Sequence, residues 1–335
     1  MTSTLAVPVR EVAAQPPFTC VGCGKSQAPP RPVLKAAPPD RPFDLVRCPD
    51  CTLVQQFPRY TPAQFRKLYA ADYYVFGESD EHRWARVVQQ YVVHLLPLED
   101  RPGRRLLDVG CALGHLAALA RLRGWRVTGI DVSAEAVSQA SVRFGLDVRA
   151  GSLARHRDTL GPFDAIFLGD CIEHVEEPAA LLTDVRRALT SDGLVCIDTP
   201  NWASRWRRWG GQRWLGLNRY HVNLFDADSL GRLLEASGFA DIRAAAYTHY
   251  RYEAWTTRPE MLGWLNKLPR FIAWRVARWL TRFNANSPWA QLRTSPPVNL
   301  NQARELVIDY ALRTDEFLPA SLAVGDNLII QARRK

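Results

Sequence analysis

Two acidic residues and two glycines stand at spacings that suit the binding of a nucleoside. Asp108 and Gly110 end an apolar run, and Gly114 precedes a stretch that repeats apolar residues at helical spacing. A second apolar run ends in Asp131, which lies 21 residues beyond Gly110. A carboxylate at that distance can accept hydrogen bonds from both hydroxyls of a ribose. The pattern therefore predicts a strand, a glycine turn, a helix and a second strand that ends in the ribose-binding acid.

The glycine spacing differs from the dinucleotide-binding pattern G-x-G-x-x-G, and an acid stands two residues ahead of Gly110. A pyrophosphate favours a bare helix N-terminus, whereas a nucleoside that carries an amino acid gains from a carboxylate beside its ammonium group. The stretch from Asp108 to Gly114 resembles motif I of class I S-adenosylmethionine-dependent methyltransferases, D/E-x-G-x-G-x-G, with Ala112 in place of the middle glycine. A βαβ unit without any ligand is the alternative.

The resemblance implies an α/β fold, namely a Rossmann-like, seven-stranded class I methyltransferase sheet, and S-adenosylmethionine as cofactor. Ser152 stands where the family often places an acid against the adenine amino group. The residues that the resemblance assigns to the cofactor are Asp108, Gly110, Ala112, Gly114, Asp131, Val132, Ser152 and Gly169.

Four cysteines form two C-x-x-C pairs near the start of the chain. Cys20 and Cys23 are followed, after 24 residues, by Cys48 and Cys51. Four thiolates at this spacing can close a tetrahedron around zinc. The segment between the pairs is rich in proline and could not form a core, so we expect a structural zinc to hold this zinc-ribbon-like module together. Unrelated free cysteines and a redox pair are the alternatives.

A glutamate and a histidine follow the predicted fourth strand, Phe163 to Leu168, at the end where open α/β sheets bind their ligands. Glu173 and His174, with His221 farther along the chain, are the candidate catalytic residues, because a hydroxyl acceptor needs a base. Together with Asp170, these three also approximate an arrangement by which some relatives hold a divalent metal. A metal-free histidine base, a catalytic metal and a purely structural pair remain open.

The resemblance covers residues 18 to 335. It is greatest with bacterial methyltransferases that join a cysteine module to a D-Y-Y element, here Asp72-Tyr73-Tyr74, and to a final G-D-N-L-I-I strand, here Gly325 to Ile330. Such enzymes commonly act on sugars, glycan intermediates or natural products, which implies a small-molecule acceptor. An RNA methyltransferase that docks its substrate through the cysteine module, and a non-enzymatic zinc-ribbon adaptor, are the alternatives. DNA is not expected as a partner.

The chain divides into a zinc-binding module (18–60), a helical connector or lid (61–100) and the methyltransferase domain (101–335). Within the last, we expect a substrate loop at 200–226 and a helical insertion at 258–320. The loop contains four tryptophans that could stack on a sugar or aromatic face, or could cap the end of the sheet.

Composition sets weaker limits on location and partners. The net charge of +9 is compatible with nucleic acid, an anionic membrane or an acidic substrate, but only five of the 43 basic residues are lysines, as a GC-rich genome would produce. No apolar run reaches the roughly 20 residues that span a bilayer, and the first residues lack the layout of a signal peptide. We expect a cytoplasmic protein with free thiols or metal. An amphipathic helix predicted at 270–283, with arginines opposite its apolar side, could lie on an anionic membrane or pack on protein.

Overall fold

The computed structural model describes residues 17–38, 41–68, 79–214, 216–247, 297–311, 322 and 325–335. The Asp72-Tyr73-Tyr74 element, the amphipathic segment 270–283 and most of the 258–320 insertion therefore lie outside the described residues. No helix in the described part of the chain is long and apolar enough to cross a membrane.

Thirteen strands are present in the described residues. In chain order they are β1 (Phe18–Thr19), β2 (Ser26–Gln27), β3 (Pro32–Leu34), β4 (Asp44–Arg47), β5 (Val54–Phe57), β6 (Arg105–Val109), β7 (Arg126–Asp131), β8 (Asp147–Ala150), β9 (Phe163–Gly169), β10 (Leu189–Pro200), β11 (Asn223–Leu224), β12 (Phe239–Tyr247) and β13 (Asn327–Arg334).

The largest sheet has seven strands in the order β12-β13-β10-β9-β6-β7-β8. β6 pairs in parallel with β7 and β9, β10 pairs in parallel with β9, and β13 is antiparallel to both β10 and β12. The inner strands read as continuous apolar runs because helices cover both faces of a parallel sheet. The predicted Rossmann-like, seven-stranded class I sheet is confirmed.

Helices fill the crossovers between these strands. The α-helices are α1 (Pro62–Leu68), α2 (Asp80–Gln90), α3 (His115–Leu122), α4 (Ala134–Phe144), α5 (Leu153–His156), α6 (Pro178–Ala188), α7 (Arg205–Gly210), α8 (Ala227–Ala236) and α9 (Leu300–Ala311). A π-helical turn, Tyr91–Leu95, and a 3-10 turn, Leu96–Leu98, extend α2, and a further 3-10 turn spans Ile172–His174.

The helix ends follow local chemistry. Ser133 caps α4 by accepting a hydrogen bond from the backbone N–H of Ala136, and Gly145 ends that helix in the left-handed conformation. Asp226 and Ser229 form a capping box at the start of α8, where the side chain of each accepts from the backbone of the other. These caps set where the crossover helices begin and end, and so how the loops approach the edge of the sheet.

A second sheet has the order β11-β5-β4-β3 and is antiparallel throughout. Three of its strands belong to the cysteine module, but β11 belongs to the 200–226 segment, more than 160 residues later in the chain. The backbone N–H of Gln56 also donates to the carbonyl of Val222 over 2.8 Å. The module and the predicted substrate loop therefore form one sheet, which local sequence patterns did not predict.

The described part of α2 packs on the main sheet rather than standing apart from it. Trp84, Tyr91 and Leu95 are fully buried in one core cluster with Leu106 of β6 and with the apolar side of α3. At the start of α2, Asp80 pairs with Arg143 of α4 over 2.5 Å. This helix is thus part of the helical layer that covers the main sheet.

Candidate active site and metal centre

The acid-glycine turn between β6 and α3 has the backbone that its glycines require. Gly110 has φ +77° and Gly114 has φ +78°, both in the left-handed region. A Cβ atom on Gly114 would approach Ala140 and Leu146 to 2.8 Å, so a larger residue would push α3 away from α4. Ala112 also has a positive φ, +47°, where a glycine would be unstrained. This position is the one at which the chain departs from the motif I pattern.

Asp131 stands at the end of β7 and is 3% exposed. Its Oδ2 accepts from the backbone N–H of Ala112 over 2.9 Å, and its Oδ1 accepts from the N–H of Ser133 over 2.9 Å. These two bonds fix the orientation of the carboxylate at the end of β7. Val132, the next residue, leaves an apolar side chain 63% exposed beside it, which suits contact with an adenine face.

Asp108 is a buried carboxyl group in this turn that lacks a hydrogen bond on one of its oxygens. It is 3% exposed, and its Oδ2 forms no hydrogen bond with any residue that the structure describes. Burial and the negative charge of Asp131 raise the pKa of Asp108 to about 7. A ligand ammonium group would supply the missing partner and return the carboxyl to its ionised form. The turn therefore fits S-adenosylmethionine, and the expectation remains that Asp108 faces its amino acid and Asp131 its ribose.

Ser152 and Gly169 complete the predicted cofactor edge. Ser152 begins α5 with no side-chain capping bond, and the neighbouring Gly151 N–H donates to the carbonyl of Asp131 over 2.7 Å. Gly169 ends β9, and a Cβ there would meet the Phe167 ring at 2.3 Å. Gly169 ends the strand beside β6, and Ser152 follows β8, the strand beside β7, so both positions lie at the carboxyl edge of the sheet.

Glu173, His174 and His221, the three candidate catalytic residues, lie close together. One possible ligand atom from each lies within 4.8 Å of the others. The His174 and His221 rings are edge to face, with centroids 4.7 Å apart. Their Nδ1 atoms face the carbonyls of Tyr220 and Gly216, at 3.1 and 3.0 Å. A carbonyl can only accept, so both Nδ1 atoms carry the proton and both Nε2 atoms present a lone pair.

Burial disfavours the charged form of all three side chains. It lowers the pKa of His174 to about 4, and burial together with the neighbouring His174 lowers the pKa of His221 well below its usual value. Burial, followed by the charge of Asp170, raises the pKa of Glu173. Glu173 Oε2 accepts from the Thr199 hydroxyl over 2.9 Å, while its Oε1 has no hydrogen-bond partner among the described residues. At 3.9 Å, Oε1 is too far from His174 Nε2 for a hydrogen bond.

Asp170 does not join this trio. Its Oδ2 accepts from Gln90 over 3.2 Å and lies 3.6 Å from a nitrogen of Arg86. Sequence reasoning missed these two partners, together with His94, whose Nε2 lies 3.5 Å from the fully buried Asp198. Arg86, Gln90 and His94 recur every four residues and so share one helix face, and that spacing is the signal that could have found them.

The connection between the trio and the cofactor turn runs through Cys171. A Cβ on Gly110 would lie 3.1 Å from the Cys171 sulfur, so the backbone of the turn touches this side chain. Glu173 and His174 follow within three residues. The trio therefore stands next to the predicted methyl-donor site, at the same edge of the sheet.

The four cysteines lie together, with their sulfur atoms within 4.8 Å of one another. The sulfurs of Cys20 and Cys51 are 3.4 Å apart, and those of Cys23 and Cys48 are 3.7 Å apart. A tetrahedron of sulfurs about 2.3 Å from zinc has edges of about 3.8 Å. Hydrogen bonding from Cys20 lowers the pKa of the Cys51 thiol to about 5, which favours a thiolate. The donor set fits a closed, structural zinc site.

The two C-x-x-C turns are built alike. The backbone N–H of Cys20 donates to the carbonyl of Lys25, and that of Cys48 donates to Leu53, five residues on in both cases. The residue after each second cysteine has a left-handed backbone, φ +73° at Gly24 and +65° at Thr52. Two equivalent knuckles that face each other are what a single four-sulfur site requires.

The tryptophans of the 200–226 segment have two different environments. Trp202 and Trp214 are 3% and 1% exposed, in a cluster that also contains Phe43 and Leu45 of the cysteine module. Trp209 is 48% exposed and packs against the Trp206 ring. The first pair joins the segment to the module, and of the four only Trp206 and Trp209 retain exposure that a ligand could use.

The sheet order and the acid-glycine turn define a Rossmann-like domain that binds a sulfonium nucleoside, and comparison with known proteins agrees. A family model described as "Methyltransferase domain" matches residues 76–244, which is half of the chain. The chain belongs to this methyltransferase family. Its relatives include a probable S-adenosylmethionine-dependent methyltransferase of Mycolicibacterium smegmatis, 29% identical over 49% of this chain and 62% of that protein.

A ubiquinone biosynthesis O-methyltransferase of Dechloromonas aromatica is 33% identical over 30% of this chain and 45% of that protein. The chain thus spans less than two thirds of the length of either relative. Among solved structures, a SAM-dependent methyltransferase from Archaeoglobus fulgidus matches 78% of this chain and 99% of its own, with 16% identity and a TM-score of 0.48.

We predict that Asp131→Ala weakens S-adenosylmethionine binding by about 1.5–3 kcal/mol, the range for hydrogen bonds to a charged group. Isothermal titration calorimetry measures the change. The matched control is Asp147→Ala, because Asp147 begins the next strand but is exposed. Equal affinity of Asp131→Ala and wild type would show that Asp131 does not bind the ribose.

We also predict that cofactor affinity falls on acidification. Only the ionised Asp108 attracts the ligand ammonium, so lowering the pH from about 7 to about 5.5, through the acid side of a pKa near 7, should weaken binding roughly 15-fold. Calorimetry at several pH values tests this. Asp108→Asn should bind more weakly and nearly independently of pH, and a wild-type affinity that is flat over this range would contradict the assignment.

The cysteine site should contain one zinc per chain, which Cys48→Ser should lose. Metal analysis by mass spectrometry measures it. Cys196→Ser is the matched control, because Cys196 is a buried cysteine of β10 outside the cluster. Full zinc content in Cys48→Ser would exclude Cys48 as a ligand.

Proposed function

We propose that the protein is a methyltransferase that transfers the methyl group of S-adenosylmethionine to a hydroxyl of a small molecule, such as a sugar, a glycan intermediate or a natural product. The observation that carries the proposal is the juxtaposition of two neutral imidazoles, His174 and His221, with the acid-glycine turn. An amine acceptor only has to be neutral, whereas a hydroxyl needs a base to receive its proton.

Bound S-adenosylmethionine supplies a methyl carbon already activated by its sulfonium. The chain has to hold the acceptor oxygen in line with that carbon and keep water away. Asp108 and Asp131 would fix the two ends of the donor, and His174 or His221 would take the acceptor proton on Nε2 as the new O–CH₃ bond forms. Each Nδ1–H donates to a backbone carbonyl, so the ring orientation and the tautomer are set before the acceptor arrives.

The relatives support an oxygen acceptor. The Dechloromonas protein is named an O-methyltransferase of ubiquinone biosynthesis, and proteins with the same name from other bacteria match about the same share of this chain. Their acceptors are proposals for this chain, because the matches end well short of either full length.

A divalent cation at the same three residues is a second candidate mechanism. Glu173 Oε1 is buried without a hydrogen-bond partner among the described residues, and two histidine lone pairs stand near it. Two imidazoles and one carboxylate form a common donor set for first-row metals. A cation there would lower the pKa of the acceptor hydroxyl directly and make a histidine base unnecessary.

RNA is the remaining alternative acceptor. In that case the cysteine module would have to offer a surface that docks the polymer. β11 instead pairs with one edge of the three strands of the module and completes the four-stranded sheet. Trp202 and Trp214 pack against the apolar side chains of the same strands. Because residues of the same chain occupy these surfaces, they are not open to a polymer. The contacts therefore favour a small acceptor.

We predict that His174→Ala or His221→Ala reduces turnover roughly 100-fold or more while cofactor affinity is retained, because a general base contributes about 10²–10⁴-fold. The acceptor is first identified by mass spectrometry, as the compound in a metabolite extract that gains a methyl group with the protein and S-adenosylmethionine. His82→Ala, on an exposed position of α2, is the control.

The outcomes separate the mechanisms. Turnover that chelators abolish and a divalent ion other than zinc restores would select the metal. Near-normal turnover in both variants would reduce the trio to a structural role. Methylation of RNA, and of no compound in the extract, would replace the proposed acceptor class.

A further inference from the structure

A series of hydrogen bonds joins the cysteine module to the segments that contain His174 and His221. Gln55, on β5, is the first residue of this series. Gln55 is 2% exposed. Its Oε1 accepts from the backbone N–H of Val21 over 3.0 Å, and its Nε2 donates to the carbonyl of Thr19 over 3.1 Å. Val21 lies inside the first C-x-x-C turn. A buried amide thus fastens β5 to the knuckle that holds two of the four sulfurs.

The backbone of β5 in turn holds β11. Gln55 is directly opposite Asn223, and Val54 is opposite Leu224, in an antiparallel pair. The N–H of Gln56 adds a hydrogen bond to the carbonyl of Val222. β11 is only two residues long, and an isolated pair of this length is not stable in water, so its position depends on the neighbours to which it is bonded, and β5 is its partner in the sheet.

β11 is also bonded to the segment that contains Glu173 and His174. The N–H of Val222 donates to the carbonyl of Glu173 over 3.0 Å. The Asn223 side chain donates to the carbonyl of Val175 over 2.7 Å. These two bonds lie on either side of His174 in the sequence, and His221 directly precedes Val222. The spacing between the two histidines is therefore set by where β11 lies.

The residues that follow β5 hold the same two segments. The Arg59 guanidinium donates to the carbonyl of Glu176 over 2.7 Å, and the Tyr60 hydroxyl donates to the carbonyl of Arg219 over 3.2 Å. Glu176 follows His174, and Arg219 precedes His221. The module thus contacts both histidine-bearing segments.

We propose that the four-cysteine module is a positioning element for the acceptor site, and that Gln55 and Asn223 are positioning residues that hold His221 against Glu173 and His174. The proposal rests on the role given to His221 in the proposed function. It applies equally to a histidine base and to a bound cation, because both need the three side chains in one place.

The test is Gln55→Leu in the full chain, which removes the two side-chain hydrogen bonds to the knuckle but retains the backbone pairing and the four cysteines. Gln27→Leu is the matched control, because Gln27 belongs to the module, on β2, and its Nε2 has no hydrogen-bond partner among the described residues. Four quantities are measured: zinc content, S-adenosylmethionine affinity, hydrogen exchange of the backbone amides at 219–224, and turnover of the acceptor identified above.

We expect Gln55→Leu to retain its zinc and its cofactor affinity, while exchange at Val222 and Asn223 becomes about fivefold faster or more. Turnover should fall about tenfold or more, with the decrease in kcat rather than in the KM for S-adenosylmethionine, because the donor turn is untouched. Gln27→Leu should match wild type in every readout. If Gln55→Leu does not fold, Asn223→Ala replaces it, because it removes the hydrogen bond by which β11 holds the Val175 carbonyl next to His174.

Unchanged exchange at Val222 and Asn223 in a variant that has lost the connection would overturn the positioning role, whatever turnover shows. Loss of cofactor affinity in parallel with turnover would also overturn it, since the effect would then be a general loss of structure. Faster exchange with normal turnover would uphold the positioning role and instead remove His221 from the proposed function, so the two failures are distinguishable.

Discussion

The parallel pairing of β6 with β9 is the constraint on which the site depends. Asp108 lies opposite Phe167 in that pair, so the acid-glycine turn and the turn after Gly169 leave the sheet side by side. Because parallel strands end at one edge, every loop that follows them has to meet there. The donor turn and the Glu173–His174 pair are neighbours for this reason alone, although more than 50 residues separate them in the chain.

The buried carboxylates at this edge differ in whether hydrogen bonds satisfy their oxygens. A carboxylate with satisfied oxygens has a structural role, and one with an unbonded oxygen is a candidate ligand-binding group. Asp198 accepts from the Tyr247 hydroxyl over 2.6 Å and from the Asn327 amide over 2.8 Å, so it ties β10, β12 and β13 together. Asp108 and Glu173 each leave one buried oxygen without a hydrogen bond among the described residues. An unpartnered buried carboxylate costs stability, and such groups persist where a ligand completes them.

The proposed acceptor side is built differently from the donor side. The donor turn is local, since one strand, one turn and one helix supply most of it. The acceptor side is assembled from the Glu173 segment, the 219–224 segment and β5 of the cysteine module, joined by backbone hydrogen bonds. An arrangement of this kind lets one methyl-donor domain serve different acceptors, because the part that faces the acceptor can change without disturbing the turn that binds the donor.

The sequence by itself determined the elements whose signals are local. The spacing of Asp108, Gly110, Gly114 and Asp131 predicted the donor turn, because such a turn needs positive φ and small residues at set positions. The two C-x-x-C pairs predicted four converging sulfurs, because each knuckle is a closed local turn.

Only the tertiary structure decided the partnerships that depend on contacts distant in the chain. It joined β11 to the cysteine module, buried Trp202 and Trp214 against it, and gave Asp170 to Arg86 and Gln90 rather than to the histidines. A two-residue strand has no periodicity to read, and a polar side chain does not reveal which buried partner it will meet. These pairings form when the layers pack, because packing determines which donors and acceptors lose their water and must form hydrogen bonds with each other.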